Sequence, residues 1–157
     1  MAVQPIPAGY HSVTPYLIVR DGAEAIEFYT KAFGAKELTR MEMPGGKIGH
    51  AEIQIGDSRI MMADEAPDMG FLSPLSFGGS PVALLLYVED VNATYDQAMA
   101  AGAKSVKPLA DQFYGDRAGT LADPYGHVWT VATHVEDVSE EELNKRFAEM
   151  MQNQCAE

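Results

Sequence analysis

The stretches FGAKELTRM, residues 33–41, and AGAKSVKPL, residues 101–109, share a triplet at Gly34-Ala35-Lys36 and Gly102-Ala103-Lys104. Each triplet follows a segment with helical spacing of apolar residues and precedes one that reads as a strand. Before the first lies DGAEAIEFYTKAFG, residues 21–34. Asp21 can cap a helix there, with Glu24 three residues on. Ile26, Tyr29 and Phe33 fall on one helical face. Gly34 supplies the left-handed residue that ends many helices. TPYLIVRD, residues 14–21, precedes this helix and reads as a buried strand. After it come KELTRMEM, IGHAEIQI and SRIMMADE, separated by the turn-forming PGGK and GDS. The order is β-α-β-β-β.

Sliding the chain by 69 residues lays Thr14–Val19 over Ala83–Val88 and Asp21 over Asp90. ALLLYV is again a strand, and Val91, Tyr95, Ala98 and Met99 form a helical face ending at Gly102. SVKPLADQF is a weaker strand, and RAGTLAD and HVWTVATH, joined by the DPYG turn, give two more. The pattern is a tandem repeat of about 60 residues. We therefore expect an α+β fold of two tandem β-α-β-β-β units in a single domain. The first unit spans 9–65 and the second 82–135. Residues 66–81, rich in Gly, Ser and Pro, form a linker or flap. Residues 136–157 form a C-terminal helix and tail, opened by a capping box at Ser139 and Glu142 and a staple of Val138 on Leu143. The apolar stripe of that helix, together with sheet edges needing cover, leads us to expect a homodimer, with exchange of elements between subunits open.

The net charge of −12 over 157 residues argues against a phosphate backbone or an anionic membrane as partner. The one cysteine, Cys155, allows no internal disulfide, which suits a cytoplasmic protein. It sits in a polar tail without a fixed base and is no nucleophile. The N-terminal residues lack the basic and apolar blocks of a signal peptide, and no apolar run is long enough for a membrane span.

These units resemble the vicinal oxygen chelate superfamily of glyoxalases, bleomycin-resistance proteins and dioxygenases. IEFYTKAFGA, IGHAEIQIGDSRIMMADE, LYVEDV, FYGDRAGTLADPYGHVW and ATHVEDVS look most like its PhnB-like branch. The resemblance implies that each unit curls its sheet into half of a cup around a ligand pocket. It also implies a divalent metal whose four ligands come from the first and last strand of each unit. By register those positions are Thr14, Met62, Ala83 and Thr130. Met and Ala offer a hard cation nothing and a neutral hydroxyl little, so no metal cofactor is expected.

In GHAEIQI, His50, Glu52 and Gln54 alternate with apolar residues, so the polar set should face the cup. His50 and Glu52 can form an acid–base pair, or merely a hydrogen-bonded polar face. The loop QFYGDR holds Gln112, Tyr114, Asp116 and Arg117, which can bind a ligand at the mouth of the cup. They can equally form a structural turn around Gly115 with a local Asp–Arg pair. Tyr87 and the former ligand positions Thr14, Met62 and Thr130 should line the cup. His11 can lean over the pocket beside Thr14, while His127 and His134 read as isolated hydrogen-bonders. The sequence thus favours a metal-independent protein that binds or sequesters a small organic molecule. The alternatives are a glyoxalase- or dioxygenase-like enzyme using His50, Glu52 or the Gln112–Arg117 loop, and a dimeric protein with a filled cup.

Overall fold

The computed structural model describes residues 3–154. Cys155 lies outside them. The first unit is β1 (Tyr16–Val19), α1 (Gly22–Phe33), β2 (Lys36–Glu42), β3 (Ile48–Ile55) and β4 (Ser58–Asp64). The linker contains a single 3-10 turn at Pro67–Met69 and the short helix α2 (Pro74–Phe77). The second unit is β5 (Ala83–Tyr87), α3 (Val91–Ala101), β6 (Lys104–Asp111), β7 (Asp116–Ala122) and β8 (Val128–His134), followed by α4 (Glu140–Gln154). This is the expected α+β architecture with two β-α-β-β-β units and a C-terminal helix. No helix among the described residues is long and apolar enough to cross a membrane.

Each helix starts and stops where its sequence dictates. The Asp21 carboxylate accepts from the Glu24 amide, and the Asp90 carboxylate from the Ala93 amide. Gly34 and Gly102 close α1 and α3 at φ of +66° and +119°, conformations that disfavour any side chain. In α4 the Glu142 amide donates to the Ser139 hydroxyl, as the capping box requires.

The two units form separate four-stranded sheets, ordered β1-β4-β3-β2 and β5-β8-β7-β6. The outer pairs β1/β4 and β5/β8 are parallel and the rest antiparallel. In both sheets the first strand is an edge, and among the described residues no hydrogen-bonded ladder joins the halves. β6 is the weak strand of the sequence. Its pairing with β7 is irregular between Lys107 and Ala110, around Pro108, which a sheet edge tolerates.

α1 and α3 meet at the junction, where the Gln97 amide donates to the Lys31 and Ala32 carbonyls. One core runs through both units. Tyr29 and Phe33 of α1 lie against Trp129 of β8, with ring centroids 5.5 and 4.9 Å apart. Val91, Tyr95 and Ala98 of α3 are buried as expected, whereas Met99 is more than a third exposed. Each helix thus covers one face of its sheet.

Glu65 anchors the linker. It accepts from the Ser76 hydroxyl at 2.7 Å, the Ser73 amide at 3.0 Å and the Arg20 guanidinium at 3.1 Å. These bonds, led by that of Ser76, hold its carboxyl at about 2 against the usual 4.5. A lowered carboxylate stabilises the linker above the unfolded value and loses that contribution as pH falls through about 2. The Glu65 side-chain carbon resonance should therefore titrate with a midpoint near 2. The Ser73 and Ser76 amide resonances should shift with the same midpoint, and Glu65→Gln should abolish that shift.

Candidate functional site

Strand parity decides which side chains reach the open face of the first sheet. Tyr16 lies opposite Met61, Met61 opposite Glu52, and His50 opposite Met41. That face therefore carries Tyr16 and Ile18 of β1, Met61 and Ala63 of β4, and His50, Glu52 and Gln54 of β3. The other face carries Leu17, Val19, Ala51, Ile53 and Met62, all buried in the core. Met62 thus departs from its expected place in the cup. The register puts it beneath the helix layer, and Met61 takes the cup-facing position.

Four side chains on the open face join into one chain. The Tyr16 hydroxyl lies 3.0 Å from His50 Nδ1, and His50 Nε2 lies 3.2 Å from Glu52 Oε1. An ionised carboxylate only accepts, so Nε2 carries a proton, and in the neutral ring Nδ1 accepts from Tyr16. The Tyr10 hydroxyl donates to Glu52 Oε2. The Arg59 guanidinium lies 4.7 Å over the Tyr10 ring. The Tyr10 bond first, and that of His50 second, lower the Glu52 pKa, so its charge is secured. Tyr10 is pushed up, by burial and then by Glu52. The result is a hydroxyl, an imidazole and a fixed carboxylate in series, an arrangement able to take a proton at Tyr16 and return it.

Beside this chain lies an apolar cavity of about 400 Å³, walled by Tyr16, Ile18, Met43, Ala63, Met69 and Phe71. The last two come from the start of the linker, which covers the end of the open face. Methionines at such a wall adapt their shape to what they contact.

The second sheet carries a different polar group on its open face. Asp116 of β7 is buried; it accepts from the Tyr87 hydroxyl at 2.8 Å and from His134 Nδ1 at 2.8 Å. His134 Nε2 meets Asp137 at 2.9 Å. With carboxylates at both nitrogens, Asp116 first and Asp137 second, the His134 pKa is raised. Tyr87 is raised by its bond to Asp116, and Tyr114 by burial and then by Asp116. Tyr114 stacks edge-on against Phe113, with centroids 5.2 Å apart. Thr130 sits on the same sheet with its hydroxyl 3.0 Å from that of Thr120.

Gln112 and Arg117 do not join this group. The Gln112 side chain donates to the Ala110 carbonyl. Arg117 binds Asn92 and Asp111 at 3.0 and 3.1 Å. The Asp116–Arg117 pair considered from sequence is absent for a simple reason: successive strand residues point to opposite faces.

His11 and Thr14 line a separate cavity of about 260 Å³, between the segment preceding β1, the start of β4 and β5. His127 Nε2 donates to the Ile18 carbonyl at 3.0 Å, joining the units. Of the four positions matching the family's metal ligands, Thr14 precedes β1, Met62 is under the helices, and Ala83 opens β5. Only Thr130 offers oxygen from within a sheet. Two hydroxyls, a thioether and a methyl do not fit a divalent cation. Among the described residues, no group of three or more His, Cys, Asp or Glu side chains is arranged to hold a metal ion.

Sequence reasoning found His50 and Glu52 through the alternation of one strand. It missed Tyr10 and Tyr16. Tyr16 was legible in principle, because its parity is that of Thr14. Tyr10 is 42 residues from Glu52 in a segment without periodicity, and no local signal marks it.

Residues 9–131 match the family model described as Glyoxalase/Bleomycin resistance protein/Dioxygenase superfamily. An uncharacterised protein of Mycobacterium bovis is 42% identical over 146 residues, covering 91% of this chain and 93% of the relative. The X-ray structure of a gene product of Arabidopsis thaliana superposes with a TM-score of 0.64 at 27% identity, over 78% of this chain and 98% of that one. A PhnB protein of Bacillus cereus, titled a putative 3-demethylubiquinone-9 3-methyltransferase, gives 0.61 at 19% identity, over 78% and 99% of the two chains.

Proposed function

The chain belongs to the glyoxalase/bleomycin resistance protein/dioxygenase superfamily, and from that premise we propose that it binds a small, largely apolar organic molecule without a divalent metal. The observation that carries this reading is the cavity of about 400 Å³ on the open face of the first sheet. Its walls are apolar except for Asp64, whose carboxylate is committed to the Gly22 and Ile48 amides, and Tyr16 connects it to the polar chain ending at Tyr10. A few convergent polar groups at the rim of an apolar hollow are what a ligand pocket requires. The donor set at the four family positions supports the metal-free part. The quoted motifs and the likeness to the Bacillus cereus PhnB protein support placing the chain in the PhnB-like branch.

The pocket is completed by a second copy of the chain. Tyr16, Met41 and Met43 on the first unit, and Leu85 and Tyr87 on the second, are exposed. A two-fold dimer covers both sets at once by placing the first sheet of one copy over the second sheet of the other. That arrangement sets the Tyr16–His50 chain of one copy opposite the Tyr87–Asp116 pair of the other.

Thermal-shift screening of apolar aromatic compounds tests the reading. A ligand at one hundred times its dissociation constant stabilises the fold by about 2.7 kcal/mol, which raises the melting temperature by roughly 5–10 °C. Ala63→Phe, which fills the cavity, should abolish the shift. Zinc, nickel, iron or manganese near one per chain, in protein purified without chelator, would overturn the metal-free assignment. A monomer by sedimentation equilibrium would overturn the shared pocket.

The Tyr16–His50–Glu52 series favours a second reading, an acid–base enzyme acting on the bound molecule. It predicts exchange of acidic carbon-bound protons of a bound ketone with D2O, lost in His50→Ala. A ligand that binds without exchange leaves the first reading alone standing.

A further inference from the structure

A second hollow borders the open face, at the seam between the two units. It has a volume of about 620 Å³, within the range of organic-ligand pockets. The free edge of β1 forms one side, Val82, Leu84 and Val128 the other, and Leu72, Pro74 and Phe77 of the linker cover it. No lining residue is acidic, lysine or arginine. A charged ligand would find no counter-charge there and would lose its hydration.

Its polar side chains are almost all engaged. The Tyr16 hydroxyl is committed to His50, and the Ser80 hydroxyl donates to the Val82 carbonyl and accepts from its amide. His127 is the exception. A carbonyl oxygen can only accept, so the bond to Ile18 fixes the proton of the neutral ring on Nε2. Nδ1 is left as an acceptor, and among the described residues it has no hydrogen-bond partner. It is not buried from solvent either. The seam thus offers an apolar hollow in which His127 supplies the one uncommitted side-chain acceptor, beside the backbone groups of the β1 edge.

We propose that this seam is a second binding site, distinct from the open-face cavity, for an uncharged apolar molecule carrying one hydroxyl or N–H donor to His127 Nδ1. β1 is the wall between the two sites, since Tyr16 and Ile18 reach both. The residues unique to each tell them apart: Val82, Leu84 and Val128 here, Met43, Ile48 and Ala63 there.

The test is a methyl-resolved NMR titration of the full chain with 4-tert-butylphenol, and with 4-tert-butylanisole as the analogue lacking the donor. The phenol should shift the Val82, Leu84 and Val128 methyls saturably, with nuclear Overhauser contacts from its tert-butyl protons to Val82 and Val128. The anisole should bind about fivefold more weakly, the loss of one neutral hydrogen bond. Val82→Trp, at an exposed rim position, should block the seam, and Ala63→Phe should leave it open. Absence of saturable shifts would overturn the proposal. So would contacts to Met43, Ile48 and Ala63 instead, or equal affinity for phenol and anisole. The Overhauser contacts locate the probe whether or not Val82→Trp keeps its fold.

Discussion

Asp123→Ala should cost about 3–5 kcal/mol, the largest single loss expected in this protein. Asp123 is buried at the DPYG turn between β7 and β8. One oxygen accepts from the Tyr29 hydroxyl at 2.6 Å and the Trp129 indole N–H at 2.9 Å. The other accepts from the Tyr125 and His127 amides, both at 2.9 Å. Alanine strands all of these donors, at least two of them deep in the core. Tyr29 belongs to α1 and the rest to the second unit, so the carboxylate holds the two units together. Urea unfolding should show a single transition at a lower midpoint in Asp123→Ala, and a smaller loss, about 1–2 kcal/mol, in Tyr29→Phe. Two separate transitions in Asp123→Ala would show that the units were coupled chiefly through this residue. The same joint sets an alkaline limit. Burial first, and the Asp123 charge second, push the Tyr29 phenol well above its ordinary 10. Tyr125 is pushed to about 12, again chiefly by burial. A raised phenol pKa stabilises the fold below the unfolded value, and that contribution is lost progressively as pH rises above 10. The urea midpoint should fall above pH 10, and less steeply in Tyr29→Phe.

Much of this fold is legible in the sequence because its decisive features are local. Asp21 and Asp90 cap through amides three residues away, and Gly34 and Gly102 end helices by their own backbone freedom. Two copies of one pattern reinforce each other. The candidate site is less legible for two physical reasons. Face assignment has a period of two, so a slip of one residue moves Met62 from the expected cup to the core and puts Met61 in its place. The same period separates Asp116 from Arg117, neighbours in sequence that sit on opposite faces. The other reason is distance. Tyr10 reaches Glu52 and His127 reaches Ile18 across the fold, and neither residue lies in a periodic segment that announces its direction.

Asp64→Ala is the second large effect, expected at about 2–4 kcal/mol, and it bears on the candidate site. Asp64 ends β4 with its side chain buried. One oxygen accepts from the Gly22 amide at 3.1 Å, at the start of α1. The other accepts from the Ile48 amide at 2.7 Å, at the start of β3, and Lys47 Nζ lies 3.7 Å from the first oxygen. Three elements meet at this carboxylate, too closely for a side chain at residue 22: a Cβ there would lie 2.7 Å from the Ile48 side chain. Alanine at position 64 leaves two buried amides without partners. Asparagine does little better, since its NH2 confronts one of them with a second donor. Asp64 and Ile48 both border the open-face cavity. The substitution should therefore shift the Ile48 and Ala63 methyl resonances and weaken ligand binding there. The Val82 and Val128 resonances at the seam should stay in place. Equal disturbance at both places would mean that β1 transmits the change, making the two hollows one coupled site.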